Sequence, residues 1–354
     1  MRNTIPLLAL AFAAWLSFGR LSAAESAHPN VIVLMADDLR PDVIHALGQG
    51  QVETPHLDRL AAEGTAFSRA TCAHPLCVPS RAEVISGCTG FRTGVYSHGG
   101  PLPADIVPWP LTMQRAGYHT VHVGKWHISG TPAKYGYEQT PGMFRSGSGP
   151  APAQLDYAGR QVTGYTGWRF FGADGKPLAD SPIGLTPGID ARFADAAIGA
   201  IQAGGAQPLF LYVNFTGPHD PRLYPPGYER KYDPAAISLP ANFRPEHPFD
   251  HGNLRGRDEL LLPFPRTPDD VRRELSAYYA VVSFIDLQVG RILDAIERVG
   301  QTERSIVVFT ADHGLAIGSH GLVGKQNMYQ HTIGVPLVMR GPGIAAGARC
   351  AAQC

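Results

Sequence analysis

The chain has 354 residues, 44% of them hydrophobic and 17% charged, which describes a folded chain with enough material for one large domain or two ordinary ones and excludes disorder, coiled coil and collagen. Thirty basic residues balance thirty acidic ones, so no overall field gathers nucleic acid or an anionic membrane surface, and any anion must be held by local groups. Forty glycines and 31 prolines are too many for a helical bundle; they imply ordered loops between short elements, and loops are where sites are built.

Met1-Arg2-Asn3 precede an apolar run from Ile5 to Phe18, followed by Arg20 and the small residues Ser22-Ala23-Ala24. Such a run is too short to span a bilayer and ends at a small-residue cleavage site, the pattern of a secretory signal peptide over residues 1–24. Residues 25–354 are then the mature chain, secreted or periplasmic, with no stable membrane insertion. Cleavage near Ala24 removes two of the thirty basic residues, Arg2 and Arg20, and no acidic one, leaving a net charge of −2. Five cysteines remain, and an odd count in an exported chain leaves at least one thiol without an internal partner. The spacing of Cys72, Cys88, Cys350 and Cys354 does not fix a pairing.

The β-branched run Val31–Met35 predicts a buried strand that stops at Asp37-Asp38. Thr54-Pro55 predicts a helix through Leu57, Leu60 and Ala61 that closes at Gly64, with Thr54 as its cap. Further strands are predicted at His119–Val123, Pro208–Asn214, Ser305–Phe309 and Val335–Met339, and further helices at Leu111–Ala116, Asp190–Ala203 and Pro268–Val299. Strands alternating with helices make an α/β fold with a mostly parallel central sheet sandwiched by helices. Gly130–Pro187 and the proline-dense stretch Pro221–Thr267 break this rhythm and read as lids or rims of a site, the first with a hairpin turn at Ala173-Asp174-Gly175. After Val335–Met339 no closing element is predicted, which leaves that strand as an uncovered edge and reads as a truncated C-terminus.

Polar clusters fall at the predicted strand ends: Asp37-Asp38, Gly124-Lys125-Trp126-His127, Gly217-Pro218-His219-Asp220 and Asp312-His313-Gly314. The carboxyl ends of parallel strands share one edge of the sheet, so these clusters can meet in one crevice. Adjacent acids repel unless a cation neutralises them, and carboxylate oxygens suit a hard cation such as calcium or magnesium. Cys77-Val78-Pro79-Ser80-Arg81 enters a short helix, where backbone N–H groups favour an anion or a nucleophile. Asp220 and Arg222 read either as substrate contacts or as a solvated pair.

Cys77-Val78-Pro79-Ser80-Arg81, with Ser86-Gly87 beyond it, resembles the Cys-x-Pro-Ser-Arg maturation motif of the type I sulfatases, in the alkaline phosphatase-like superfamily. Asp37-Asp38, Gly124-Lys125-Trp126-His127, His219, Asp312-His313-Gly314 and Gly324-Lys325 follow in family order, and the resemblance runs from Asn30 to Gly343. Asp312-His313, with His320-Gly321-Leu322 to Lys325, is most similar to iduronate- and choline-sulfatase-like members. The resemblance implies that a smaller C-terminal subdomain usually follows, and the sequence given ends near where that part would begin.

The resemblance implies a sulfuric ester hydrolase. Cys77 is converted to formylglycine by a maturation enzyme, and one calcium ion is held by Asp37, Asp38, Cys77, Asp312 and His313. One hydroxyl of the hydrated aldehyde attacks sulfur, and the other then collapses to release sulfate. Lys125 and Lys325 neutralise the sulfuryl group, Arg81 holds the diol, His127 takes the proton that drives collapse, and His219 protonates the leaving alcohol. The substrate is a small-molecule or glycan sulfate ester. The rival readings are a formylglycine-dependent phosphodiesterase or phosphonate monoester hydrolase, and a secreted binding protein without turnover.

Overall fold

The computed structural model describes residues 28–48 and 50–354; the predicted signal peptide lies outside them. In chain order they form β1 (Asn30–Ala36), α1 (Pro55–Ala62), β2 (Thr65–Phe67), α2 (Cys77–Ser86), α3 (Gly90–Thr93), α4 (Trp109–Arg115), β3 (His119–Lys125), β4 (Met143–Ser146), β5 (Gln154–Leu155), β6 (Gln161–Val162), β7 (Trp168–Phe171), α5 (Ile189–Ala203), β8 (Leu209–Asn214), α6 (Pro268–Arg298), β9 (Ser305–Ala311), α7 (Gln330–Ile333), β10 (Leu337–Arg340) and β11 (Ala348–Cys350).

Nine strands make one sheet in the order β11-β2-β10-β9-β1-β8-β3-β4-β7. Its centre, from β9 to β4, is parallel, while β10 and β7 run against their neighbours. Met35 lies opposite Asn214 on one side and Thr310 on the other, and Asn214 lies opposite Gly124. The carboxyl ends of β9, β1, β8 and β3 therefore stand side by side, about 4.8 Å apart in the sheet.

Alternate side chains of these strands feed two layers of core, as period-two geometry requires. Ile32, Leu34, Leu211 and Val213 pack with α1, α5 and α6, while Val33, Met35, Phe210 and Tyr212 pack against α2 and α4. α6 buries a continuous stripe that includes Val271, Leu275, Tyr278, Val282, Ile285, Val289, Ile292 and Ile296, the helical spacing of an apolar face. Its start is fixed locally, because Thr267 accepts from the Asp270 amide at 3.1 Å and Pro268 occupies the first turn.

Three expectations change. Thr54 does not cap α1: its hydroxyl accepts from the His45 amide at 2.9 Å, and Asp286 of α6 receives the His56 and Leu57 amides at 3.2 and 2.7 Å instead. Gly130–Pro187 contributes β4 and β7 to the main sheet and the β5–β6 pair, elements too short to leave a period in the sequence. The strand near Val335–Met339 begins at Leu337 and is not an edge, because β2 pairs with its outer side and β11, formed by residues after the Gly341 turn, pairs with β2 beyond.

Candidate active site

β1 delivers Asp37 and Asp38 to the sheet edge, and both carboxylates are buried. Asp38 sits at φ 67°, in the left-handed region where a non-glycine residue is strained. Its amide donates to Asp312 Oδ1 at 3.1 Å, which ties the ends of β1 and β9 together. Cys77 is the first residue of α2, preceded by extended Leu76. Ser80 Oγ, one turn on, donates to the Asp312 carbonyl at 2.6 Å and anchors the helix to β9. The Cys77 sulfur then lies 3.2 Å from Lys325 Nζ, 3.4 Å from His313 Nε2 and 3.5 Å from Asp37 Oδ1.

Positive and negative groups alternate around that sulfur. Lys125 and the Tyr165 hydroxyl both reach Asp37 Oδ2, and Lys325 reaches Asp38 Oδ1 at 2.7 Å. Arg81, four residues after Cys77, directs Nε to Asp312 Oδ2 at 3.0 Å and Nη1 to Asn214 Oδ1 at 2.6 Å. Against its burial and the neighbouring thiol, Lys125, His219 and Arg81 hold Asp37 well below the usual carboxylate range. Against burial, Lys125, Lys325 and His313 hold the Cys77 thiol well below its ordinary value, so the thiolate is favoured. Burial, followed by Asp37, pushes Asp312 up to about 7. His313 rises to about 9 because Asp312 and Cys77 outweigh its burial.

Two further histidines differ sharply. Against burial and Lys325, the carboxylates of Asp38, Asp220 and Asp37 raise His219 to about 10, whereas burial lowers His127 to about 4 even though it hydrogen-bonds Cys77. The surrounding carboxylates thus favour the protonated form of the first ring, and burial favours the neutral form of the second. Cys77, Lys125, His127, His219 and Lys325 all line one cleft of about 420 Å³, together with Trp168.

The structure thus gathers every residue expected at the site, with one displacement. Asp37, Asp38, Cys77 and His313 place one ligand atom each within 4.8 Å of one another. Asp312, expected as a fifth ligand, is outside that set: Oδ1 accepts from the Asp38 and His313 amides, and Oδ2 is held by Arg81. The four-residue set fits a hard cation, since it is buried, carries two carboxylates and already attracts two lysines. His313 Nδ1 donates to the Gly314 carbonyl at 3.1 Å, which points Nε2 inward.

Asp220 and Arg222 are neither solvated nor paired with each other. Asp220 joins His219 and Arg257, while Arg222 turns away to Glu274 on α6. Sequence reasoning missed Tyr165, Asn214, His98 and Arg257. Asn214 was within reach, as the last residue of a predicted strand. His98 stacks on His127 with ring centres 5.5 Å apart. Tyr165 lies in an irregular stretch at φ 60° and carried no signal.

The sulfatase family model matches residues 29–352, and the chain belongs to the sulfatase family. It is 26% identical over 342 residues to the choline-sulfatase of Rhizobium meliloti, covering 90% of this chain and 64% of that protein. It is 28% identical over 352 residues to the iduronate 2-sulfatase of Mus musculus, covering 92% of this chain and 61% of that one. The chain therefore spans less than two thirds of the length of these relatives. The phosphonate monoester hydrolase of Agrobacterium radiobacter superposes with a TM-score of 0.73 at 22% identity, over 92% of this chain and 70% of that one. That likeness shows the fold, which is alkaline phosphatase-like.

Proposed function

We propose that the chain hydrolyses a sulfate ester, small or glycan-borne, after export and after a maturation enzyme has oxidised Cys77 to formylglycine. The observation that carries this reading is Cys77 itself, the first residue of α2 in a Cys-x-Pro-Ser-Arg run, with Lys325, His313 and Asp37 within 3.5 Å of its sulfur. Hydrated formylglycine would supply a paired-hydroxyl nucleophile, and a calcium ion, which Asp37, Asp38, Asp312, His313 and the side chain at 77 would hold, would supply fixed positive charge.

The chain's own groups do the rest. Lys125 and Lys325 flank position 77 and offset the negative charge of a sulfuryl group. Arg81, clamped between Asp312 and Asn214, fixes the floor beneath it. His219 lines the cleft with Nδ1 turned to Asp220, so its Nε2–H can be donated to a departing alkoxide. His127, neutral and in contact with position 77, can accept a proton there.

The test is direct. The tryptic peptide carrying Cys77 is expected to show, by mass, loss of hydrogen sulfide and gain of one oxygen, and the same preparation to release inorganic sulfate from a panel of choline, aryl and sugar sulfates. Unmodified thiol in active enzyme sinks the formylglycine assignment. Faster turnover of the matching phosphate diester or phosphonate overturns the choice of ester.

A further inference from the structure

The proline-rich segment 221–267 returns over the cleft, and three consecutive residues of it touch both of its working arms. Arg257 Nη1 lies 2.7 Å from Asp220 Oδ1, Nη2 engages the other carboxylate oxygen, and Nε donates to Thr163 Oγ1 at 3.1 Å. Asp220 is buried and receives His219 Nδ1, 2.7 Å from its carbonyl and 3.1 Å from its carboxylate. A ring that donates Nδ1–H to Asp220 has Nε2 left for the cleft, where it stands 4.0 Å from Asp38 Oδ2.

Two residues on, Glu259 is fully buried. Its Oε1 accepts from the Gly324 amide at 2.9 Å, and Oε2 accepts from the Val323 amide and from Arg266 Nη2, both at 2.9 Å. The next residue is Lys325, whose Nζ bridges Asp38 and Cys77. The approach is so close that a Cβ on Gly324 would stand 2.7 Å from Asp258 Cβ.

We propose that Arg257-Asp258-Glu259 is a positioning strap, in which Arg257 sets the His219 imidazole through Asp220 and Glu259 sets the Lys325 turn through its backbone; this rests on the sulfate ester reading above. Arg257 lines the cleft, yet it is not an anion receptor, because the carboxylates of Asp220 and Asp258 already neutralise it. Charge-assisted hydrogen bonds to a buried carboxylate are strong and directional, and partners of this kind orient the groups that do the chemistry.

Leaving-group dependence tests the strap, because only a group acting through His219 changes it. Wild type, Arg257→Ala, His219→Ala, their double variant and Glu259→Gln are assayed on sulfate esters of increasingly basic alcohols. Arg257→Ala is expected to cost about tenfold or more on alkyl sulfates and less than about threefold on nitrophenyl sulfate. The double variant is expected to be no worse than His219→Ala, with Arg257→Lys recovering part of the loss. Glu259→Gln is expected to lower all esters alike by about tenfold, with the slope unchanged.

Equal loss on all esters for Arg257→Ala, no loss, or additivity with His219→Ala overturns the proposal. Arg257 is partly exposed, so truncating it opens no core cavity, and it decides the His219 arm even where Glu259→Gln does not fold. If the wild-type chain with confirmed formylglycine releases no sulfate, the hydrolase reading fails. A crystal structure of Arg257→Ala then judges the strap alone: an imidazole turned away from Asp220 supports it, and one left in place overturns it.

Discussion

The sheet edge and the proline-rich segment 221–267 both furnish the cleft, but they position side chains by different physics. Along the edge, β-register does the work: β9, β1, β8 and β3 run the same way, so Asp312, Asp37, Asn214 and Lys125 arrive at neighbouring places although Asp312 and Asp38 are 274 positions apart in sequence. In the segment, each placement is an individual bargain of hydrogen bonds, such as Arg257 on Asp220 or Glu259 on two amides. A regular element transmits position over a distance. An irregular one must specify it contact by contact, as the Arg257 and Glu259 side chains do.

If the edge holds the chemistry and the loop only aims it, substitutions should grade accordingly. Cys77→Ala is expected to abolish sulfate release, a loss of roughly four orders of magnitude or more, because the nucleophile and its helix-start position go together. Measurable turnover of the same esters by that variant would break the comparison at its root. His219→Ala, between edge and loop, is expected to slow alkyl or sugar sulfates by roughly a hundredfold while sparing nitrophenyl sulfate, since a nitrophenolate leaves without a proton. Equal losses would make His219 a binding residue, with Lys325 the next candidate donor.

Removing divalent cations addresses the edge alone. Exhaustive chelation is expected to stop turnover and lower the melting temperature, and calcium at a hundred times its dissociation constant to restore about 3 kcal/mol of stability. The same titration on Asp37→Asn should show no such rise. A melting curve indifferent to chelator and calcium in the wild type removes the metal from the assignment.

The edge was also the legible half. β1, β3, β8 and β9 were all recognisable as β-rich runs, and the polar residues that follow them could be assigned to one crevice without coordinates. α6 was bounded to within a residue because Thr267-Pro268 is a strong start and its apolar stripe is long. What escaped depends on tertiary partners. Thr54 has the composition of a cap, yet Asp286, 230 residues from His56, does the capping. Asp312 also carries contacts no local pattern announces, since Arg81 and the amides of Asp38 and His313 all donate to its carboxylate. Tyr165 and Arg257 reach the cleft from stretches with no period at all.

A smaller effect probes how edge and helix layer share strain. Asp190, in the first turn of α5, is buried, and its Oδ1 accepts from the Thr216 amide at 2.8 Å and hydroxyl at 3.1 Å, beneath the turn that carries His219. Burial outweighs those hydrogen bonds and raises its pKa to about 6. A carboxyl whose folded value lies above its unfolded one binds its proton more tightly in the native state, so stability is greatest below the unfolded value and falls as pH rises through the folded one. The window is therefore about pH 4 to 6, and the full effect is on the order of 3 kcal/mol. Asp190→Asn keeps the shape and cannot ionise. Denaturant unfolding of the two proteins side by side is expected to show the wild type losing ground to the variant by that amount between pH 4 and pH 7, with no further change above. A stability difference that stays flat across the window would mean that Asp190 is already ionised at pH 4, and that the Thr216 hydrogen bonds outweigh its burial.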